Sequence, residues 1–393
     1  MRDELTTACS SQDTPVGGKV HLPFLDGIRG VSILAVYFFH CLSSSFGFAE
    51  LPWDGVLRSF DVPTPFLLLL PFTYGWAGVA CFFVVSGFCI HLSGSTVGGK
   101  PSWSVFALRR FLRLYPPYFV AVCFFFIVSV VVGTTQLHRI SSFVQLGAHL
   151  SMLHNFDQRT LFGINPSFWS VAVEVQLYLL YPLVWYLSRR LGWRLTLVFV
   201  GIPEGLIALA SSVSLNMLGA ALPCLVVNSP FAFWFSWTLG AYLCDCWRSG
   251  CRCWLSVVRA DVMFIVALML PLTKITSPFA FVAFAVLTAV VIERLLYRRW
   301  SCSGFFLPGK VWQGFSVLGA ASYSFYLFHQ PPLGYFGRML EGYCSDFFET
   351  AMMRFWCSVM LFPLLLVFSV FSYRRLEQPF ARFGKSVGSK MRS

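Results

Sequence analysis

Apolar positions in this chain gather in long runs separated by short polar breaks. A hydrocarbon core of about 30 Å takes roughly 20 helical residues. Ten runs approach or reach that length, at about 28–45, 72–93, 117–133, 167–188, 195–214, 228–247, 260–273, 277–296, 313–336 and 355–373. The 260–273 run is the shortest. Most are apolar all round, as a helix facing lipid or other spans must be. The pattern predicts an all-α integral membrane protein, a bundle of about ten transmembrane helices with no large soluble domain between them.

Composition agrees. The 393 residues are 57% hydrophobic and 12% charged, where a soluble domain carries about 25% charged residues. The net charge of +12 is explained by topology rather than by nucleic acid. With the N-terminus inside, 23 of the 29 Lys and Arg fall in cytoplasmic segments or span ends, including Arg109, Arg110, Arg113, Arg189, Arg190 and Arg194. That bias follows the positive-inside rule and predicts both termini in the cytoplasm. Residues 1–21 read as a polar tail without a signal-peptide core, so the first span is expected to act as its own insertion signal. Residues 384–393 read as a basic tail.

Thirteen cysteines lie mostly within or beside apolar runs, where cysteine behaves as a small hydrophobe. Cys244, Cys246, Cys251 and Cys253 stand apart at an inner helix end. Two C-x-C pairs there suit zinc or acylation, although the spacing is not the usual metal-binding one and no metal is expected.

Four blocks carry ionisable groups into the apolar runs. In Phe24–His40, Arg29 opens a span and His40 sits deep inside it, with ten residues between them. At 100° per residue both point to one face, about 16 Å apart along the helix. In 104–120, Arg110 and Arg113 share a helix face ahead of Pro116 and Pro117, while Arg109 is expected to point elsewhere. The pair reads either as a membrane anchor or as a clamp for phosphate, which the arginine fork suits. In 165–185, Glu174 enters an apolar span with Tyr178 one turn on, placed to donate a hydrogen bond to it. Depth estimates put Glu174 about 10 Å and His40 about 8 Å from the outer edge, so the two could meet, and the carboxylate would then raise the imidazole's basicity. In 319–333, Ser322, Tyr323, Tyr326 and His329 lie along one span, either lining a cavity or joining helices. His91 reads as structural. Glu204, beside Pro203 and Gly205, reads as a helix irregularity lining a cavity.

These blocks resemble the membrane acyltransferase-3 family, multi-span O-acyltransferases that modify sugars and other hydroxylated molecules. FLDGIRGVSILAVYFFH, GVACFFVVSGFCI, RRFLRLYPPYF, PSFWSVAVEVQLYLLYPL, SYSFYLFHQP and RRLEQPF follow the family's order across residues 22–383. The resemblance implies transfer of an acyl group, commonly acetyl, from acyl-CoA as co-substrate, with no tightly bound cofactor. Carried over by position, His40 would be the catalytic histidine, Arg29, Arg110 and Arg113 would serve the donor, and Glu174 would support catalysis. Tyr178, Ser322, Tyr323 and His329 would support the site or line the acceptor's path. Val175 stands where many relatives have a second acid, and no esterase-like domain accompanies the spans. The acceptor would be a glycan, glycolipid or small hydroxylated molecule. His40 would act either as general base or as covalent acyl carrier. Two other readings stand beside this one. A proton-coupled transporter would also bury His, Glu and Arg, and a catalytically silent scaffold would use them only for stability.

Overall fold

A computed structural model describes residues 22–47, 69–94, 101–297, 309–339 and 347–391. The polar stretch 1–21 lies outside the described residues. Every regular element among those described is helical.

The first helix, α1, runs Pro23–Phe46, with Pro23 in the first turn, where its missing N–H costs nothing. After two short helical turns comes α2, Gly78–Gly94, and then α3, Trp103–Val131. A short helix α4, Ile140–Leu150, precedes α5, Phe168–Val213. At 46 residues α5 would reach roughly 70 Å if straight, but Gly192 breaks it with φ 75° and ψ 165°. The expected spans 167–188 and 195–214 are its two arms, and Arg189, Arg190 and Arg194 flank the break. The sequence placed an irregularity at Pro203–Gly205. The helix is continuous there, and the break falls at the glycine that can adopt positive φ.

Helices α6 (Trp234–Arg248), α7 (Ala260–Met269) and α8 (Ala280–Leu296) follow. The expected ninth span, 313–336, is not one helix. It divides into α9 (Gly309–Ala320), α10 (Ser322–Phe328) and α11 (Gln330–Met339). Pro331 and Pro332 supply no N–H to the preceding turn, so α10 ends at His329 and a new helix begins. Helices α12 (Phe347–Met360), α13 (Phe362–Ser372) and α14 (Gln378–Lys390) close the chain. Residues up to Lys390 of the basic tail belong to α14, which lies on the start of α3, with Gly384 against Leu112 and Gly388 against Val105 and Arg109.

Among the described residues six helical runs are long and apolar enough to cross a membrane: Pro23–Phe46, Gly75–Gly94, Trp103–Val131, Phe168–Leu218, Ser277–Leu296 and Thr350–Lys390. Large apolar side chains such as Leu179, Val198 and Leu364 are exposed on their outer faces, as lipid-facing residues are. The chain is a multi-pass integral membrane protein.

Two glycine seams set the tightest helix pairs. A Cβ on Gly30 would strike the Phe315 carbonyl, and one on Gly319 the Asp26 carbonyl, so α1 and α9 meet backbone to backbone. Gly87 and Gly240 do the same for α2 and α6, against the Trp237 and Val84 carbonyls. Small residues permit such approach where lipid offers no hydrophobic drive between helices. The seams fix α1 and α2, which carry Arg29, His40 and Ser86, relative to the rest.

Candidate active site

A basic cleft opens between α1, the start of α3 and the end of the chain. It is lined by Arg29, Arg109, Arg110, Arg113, Arg382 and Lys385, with Asp26 and Glu377 as its carboxylates. Arg109 lines this cleft with its neighbours, contrary to the expectation that it points away. The cleft spans more than one face of α3 because α14 packs along it. Arg382 and Lys385 were legible only as topological charge, and they become lining residues because α14 turns back onto α3.

The cleft leads into a smaller inner chamber, which shares Arg29, Cys89, Arg110 and Arg113 with it. Glu174, Tyr178, Ser322 and Tyr323 all line this chamber. Glu174 accepts hydrogen bonds from Ser86 Oγ at 2.6 Å and from the Tyr178 hydroxyl at 2.5 Å. Trp237 Nε1 donates to the same Ser86 oxygen at 3.3 Å. The Arg110 guanidinium lies 5.9 Å from the centre of the Tyr178 ring, within cation–π range, and it donates to Ser93. Tyr323 donates to the Leu114 carbonyl at 2.8 Å, while the Ser322 hydroxyl has no partner among the described residues. Across the chamber the Ser170 and Tyr326 hydroxyls share a hydrogen bond of 2.6 Å.

The Glu174–His40 contact that depth permits is absent among the described residues. Equal depth in the membrane does not fix direction around the bundle axis, and Glu174 is turned toward α2. His40 instead faces His329, with ring centres 5.1 Å apart. His329 is fully buried and donates Nδ1–H to the Tyr326 carbonyl at 2.9 Å. Neither histidine lines the cleft or the chamber, but Tyr326, which lines the chamber, has its ring 5.4 Å from that of His329.

Glu377 was missed within RRLEQPF. A π-helical turn at Tyr373–Glu377 rotates it inward. There it lies 4.0 Å from Arg113 and accepts from Ser324 at 3.2 Å, with 2% of its surface exposed. A run reading RRLE signals a surface, and only the local change of helical pitch buries the acid.

The family profile described as an acyltransferase domain, of the acyltransferase-3 type, matches residues 22–374. The chain belongs to the acyltransferase-3 family. Among curated relatives it is similar to the acyltransferase MdmB of Streptomyces mycarofaciens, at 28% identity over 177 residues. That alignment covers 44% of this chain and 42% of the relative. It is also similar to the peptidoglycan O-acetyltransferase OatA of Listeria monocytogenes, at 26% identity over 175 residues, covering 42% of this chain and 24% of that one. The chain thus spans under half the length of each of these relatives. No solved structure matches it.

The remaining polar groups lie elsewhere. His91 Nε2 pairs with Asp245 at 3.1 Å and its Nδ1 meets the Tyr181 hydroxyl at 3.2 Å, tying α2 to α5 and α6. Glu204 lines neither cavity. It accepts from the Ser236 backbone N–H at 3.1 Å and from the Ser236 hydroxyl at 2.5 Å, and so joins α5 to α6. Of the cysteine cluster only Cys251 is exposed. No group of three or more His, Cys, Asp or Glu among the described residues is placed to hold a metal.

Proposed function

We propose that this chain is a membrane O-acyltransferase. It would move an acyl group, most simply acetyl, from acyl-CoA to a hydroxyl of a carbohydrate or other hydroxylated acceptor. The observation that supports this reading is a basic cleft that shares Arg29, Arg110 and Arg113 with a polar chamber, whose lining residue Tyr326 touches His329 of the His40–His329 pair, in a chain of this family.

The cleft suits a polyphosphate donor. Arg29, Arg110 and Arg113 line both cavities and would take its phosphates through paired N–H donors. Arg109, Arg382 and Lys385 add positive charge toward the mouth. The thin acyl-bearing arm would extend along the chamber past Ser322 and Tyr323 toward His40. Glu174 would act at one remove, holding Ser86 and Tyr178 and balancing Arg110 rather than touching His40. The name of the Listeria relative suggests a glycan as acceptor.

The domain is taken as residues 22–383 with ten crossings and both termini cytoplasmic. The six long runs supply seven, α5 counting twice, and α6, the short apolar Ala260–Leu272 stretch and the three-part segment α9–α11 supply the rest. This sense puts the cleft on the cytoplasmic side and His40 in the outer half, with the acceptor arriving from outside.

The test is labelled acetyl-CoA supplied to membranes with and without the protein, followed by identification of the labelled product. The reading predicts label on a hydroxylated acceptor only when the protein is present. Substrate uptake by reconstituted vesicles without any acyl donor, and no labelled product, would overturn it in favour of transport.

A further inference from the structure

The two facing imidazoles leave nitrogens unused. His329 donates Nδ1–H to the Tyr326 carbonyl. A carbonyl only accepts, so the proton is fixed on Nδ1 and Nε2 carries the lone pair. That Nε2 is buried without a partner among the described residues, and so is Nδ1 of His40. A buried polar atom without a partner is destabilising. Two at one spot mark a place where a hydrogen-bonding or reacting group arrives from outside.

Among the described residues, the other polar groups that touch the pair are engaged. The Tyr37 ring lies 6.5 Å from His329, but its hydroxyl donates to the Ser358 carbonyl at 2.5 Å. The Tyr326 hydroxyl is held by Ser170. Phe325 and Phe39 also pack against the two rings. Among the described residues here, the imidazoles are the unengaged basic groups. An imidazole that carries an acyl group cannot also take the acceptor's proton, so two histidines permit a division of labour that one does not.

Resting on the acyltransferase reading above, we infer that His329 is a second catalytic residue, the base for the incoming hydroxyl, and that His40 carries the acyl group between two half-reactions. In the first, a ring nitrogen of His40 attacks the thioester carbon. The N–C bond forms, the C–S bond breaks, and its electron pair leaves on sulfur, which takes up the imidazole's surplus proton. In the second, the acceptor oxygen attacks the acyl carbon while its proton passes to His329 Nε2. The O–C bond forms, the N–C bond breaks, and its electron pair returns to His40. The proton on His329 then passes to His40, leaving both rings neutral. The Tyr326 carbonyl holds this base in the required tautomer, and the Tyr326 side chain links it to the chamber.

The full-length protein is assayed in vesicles for two reactions: transfer of labelled acetyl to the acceptor, and exchange of labelled CoA into acetyl-CoA without acceptor. Wild type performs both. His329→Ala and His329→Asn keep exchange within a few-fold and lose transfer by about 10²–10⁴-fold, the usual worth of a positioned base. The asparagine amide can still donate to the Tyr326 carbonyl but is no base, which separates basicity from packing. His40→Ala loses both reactions. Transfer at the wild-type rate in the His329 variants, loss of exchange together with transfer in both, or transfer without exchange in wild type each overturns the inference. A wild-type protein that transfers nothing from acetyl-CoA contradicts the acyltransferase reading itself.

Discussion

The Arg113 guanidinium stands 4.0 Å from the buried Glu377 carboxylate, at the throat where the basic cleft narrows into the chamber. Arg113 is about one-third exposed and Glu377 almost wholly enclosed, so the carboxylate is the fixed point and the arginine the group it aims. Glu377→Gln is expected to raise the donor KM about tenfold, one factor of ten per 1.4 kcal/mol, with a smaller effect on kcat. Arg110→Ala with Arg113→Ala is expected to raise it further and to flatten its dependence on salt, because screening has less charge to act on. Steady-state kinetics from low to high salt check both. A donor KM that ignores all these changes contradicts the clamp.

Glu174 receives both its hydrogen bonds on one oxygen, Oε1. An amide carbonyl can accept the same two, so Glu174→Gln should keep the fold within about 1 kcal/mol. Glu174→Ala leaves Ser86 and Tyr178 without their acceptor and should cost about 1–3 kcal/mol. Thermal unfolding in detergent measures the difference. Activity lost equally in the two variants assigns Glu174 a role through its charge. Activity kept by glutamine alone assigns it a role as a hydrogen-bond centre.

The α2–α6 seam should not tolerate a methyl group. A Cβ on Gly87 would strike the Trp237 carbonyl, and overpacking of this kind costs about 1–3 kcal/mol. Gly87→Ala is expected to lower thermal stability and also activity, because Trp237 donates to Ser86 beside Glu174. Gly205 faces open space, so Gly205→Ala is the control expected to be neutral or stabilising.

Outside the spans, His149 and His154 stack face to face with ring centres 4.0 Å apart and planes 9° apart. Burial pushes His149 down to about 4 and His154 to about 3. In the unfolded segment both would take protons near pH 6.5. Their contribution to stability is therefore complete above that pH and is lost as pH falls toward 4, by about 3 kcal/mol for His149. Hydrogen exchange over residues 140–168 should accelerate between pH 6.5 and 4, after correction for intrinsic rates. Replacing both histidines by phenylalanine should abolish that trend. A flat profile in the native chain would count against it.

Much of this arrangement was legible in the sequence, for identifiable reasons. Arg29, Arg110 and Arg113 could be assigned to one end of the bundle because charge bias sets direction across a membrane. Tyr178 could be paired with Glu174 because helical spacing fixes neighbours on one face. What depends on rotation about the bundle axis could not be read. Depth placed Glu174 level with His40, yet the carboxylate turned to Ser86 and the histidine to His329. Local backbone exceptions were also hidden: the break at Gly192, the restart of the helix at Pro331, and the π-turn that buries Glu377. Each depends on a few residues inside an otherwise regular pattern.

Everything proposed for the site turns on acyl transfer at His40 from a donor held in the basic cleft. The most direct measurement compares wild type and His40→Ala, reconstituted at equal amounts and with matching thermal unfolding, for transfer of labelled acetyl from acetyl-CoA to the acceptor. Wild type should label the acceptor, and His40→Ala should fall to background while still binding acetyl-CoA. Labelling by His40→Ala at the wild-type rate would contradict acyl transfer at that residue.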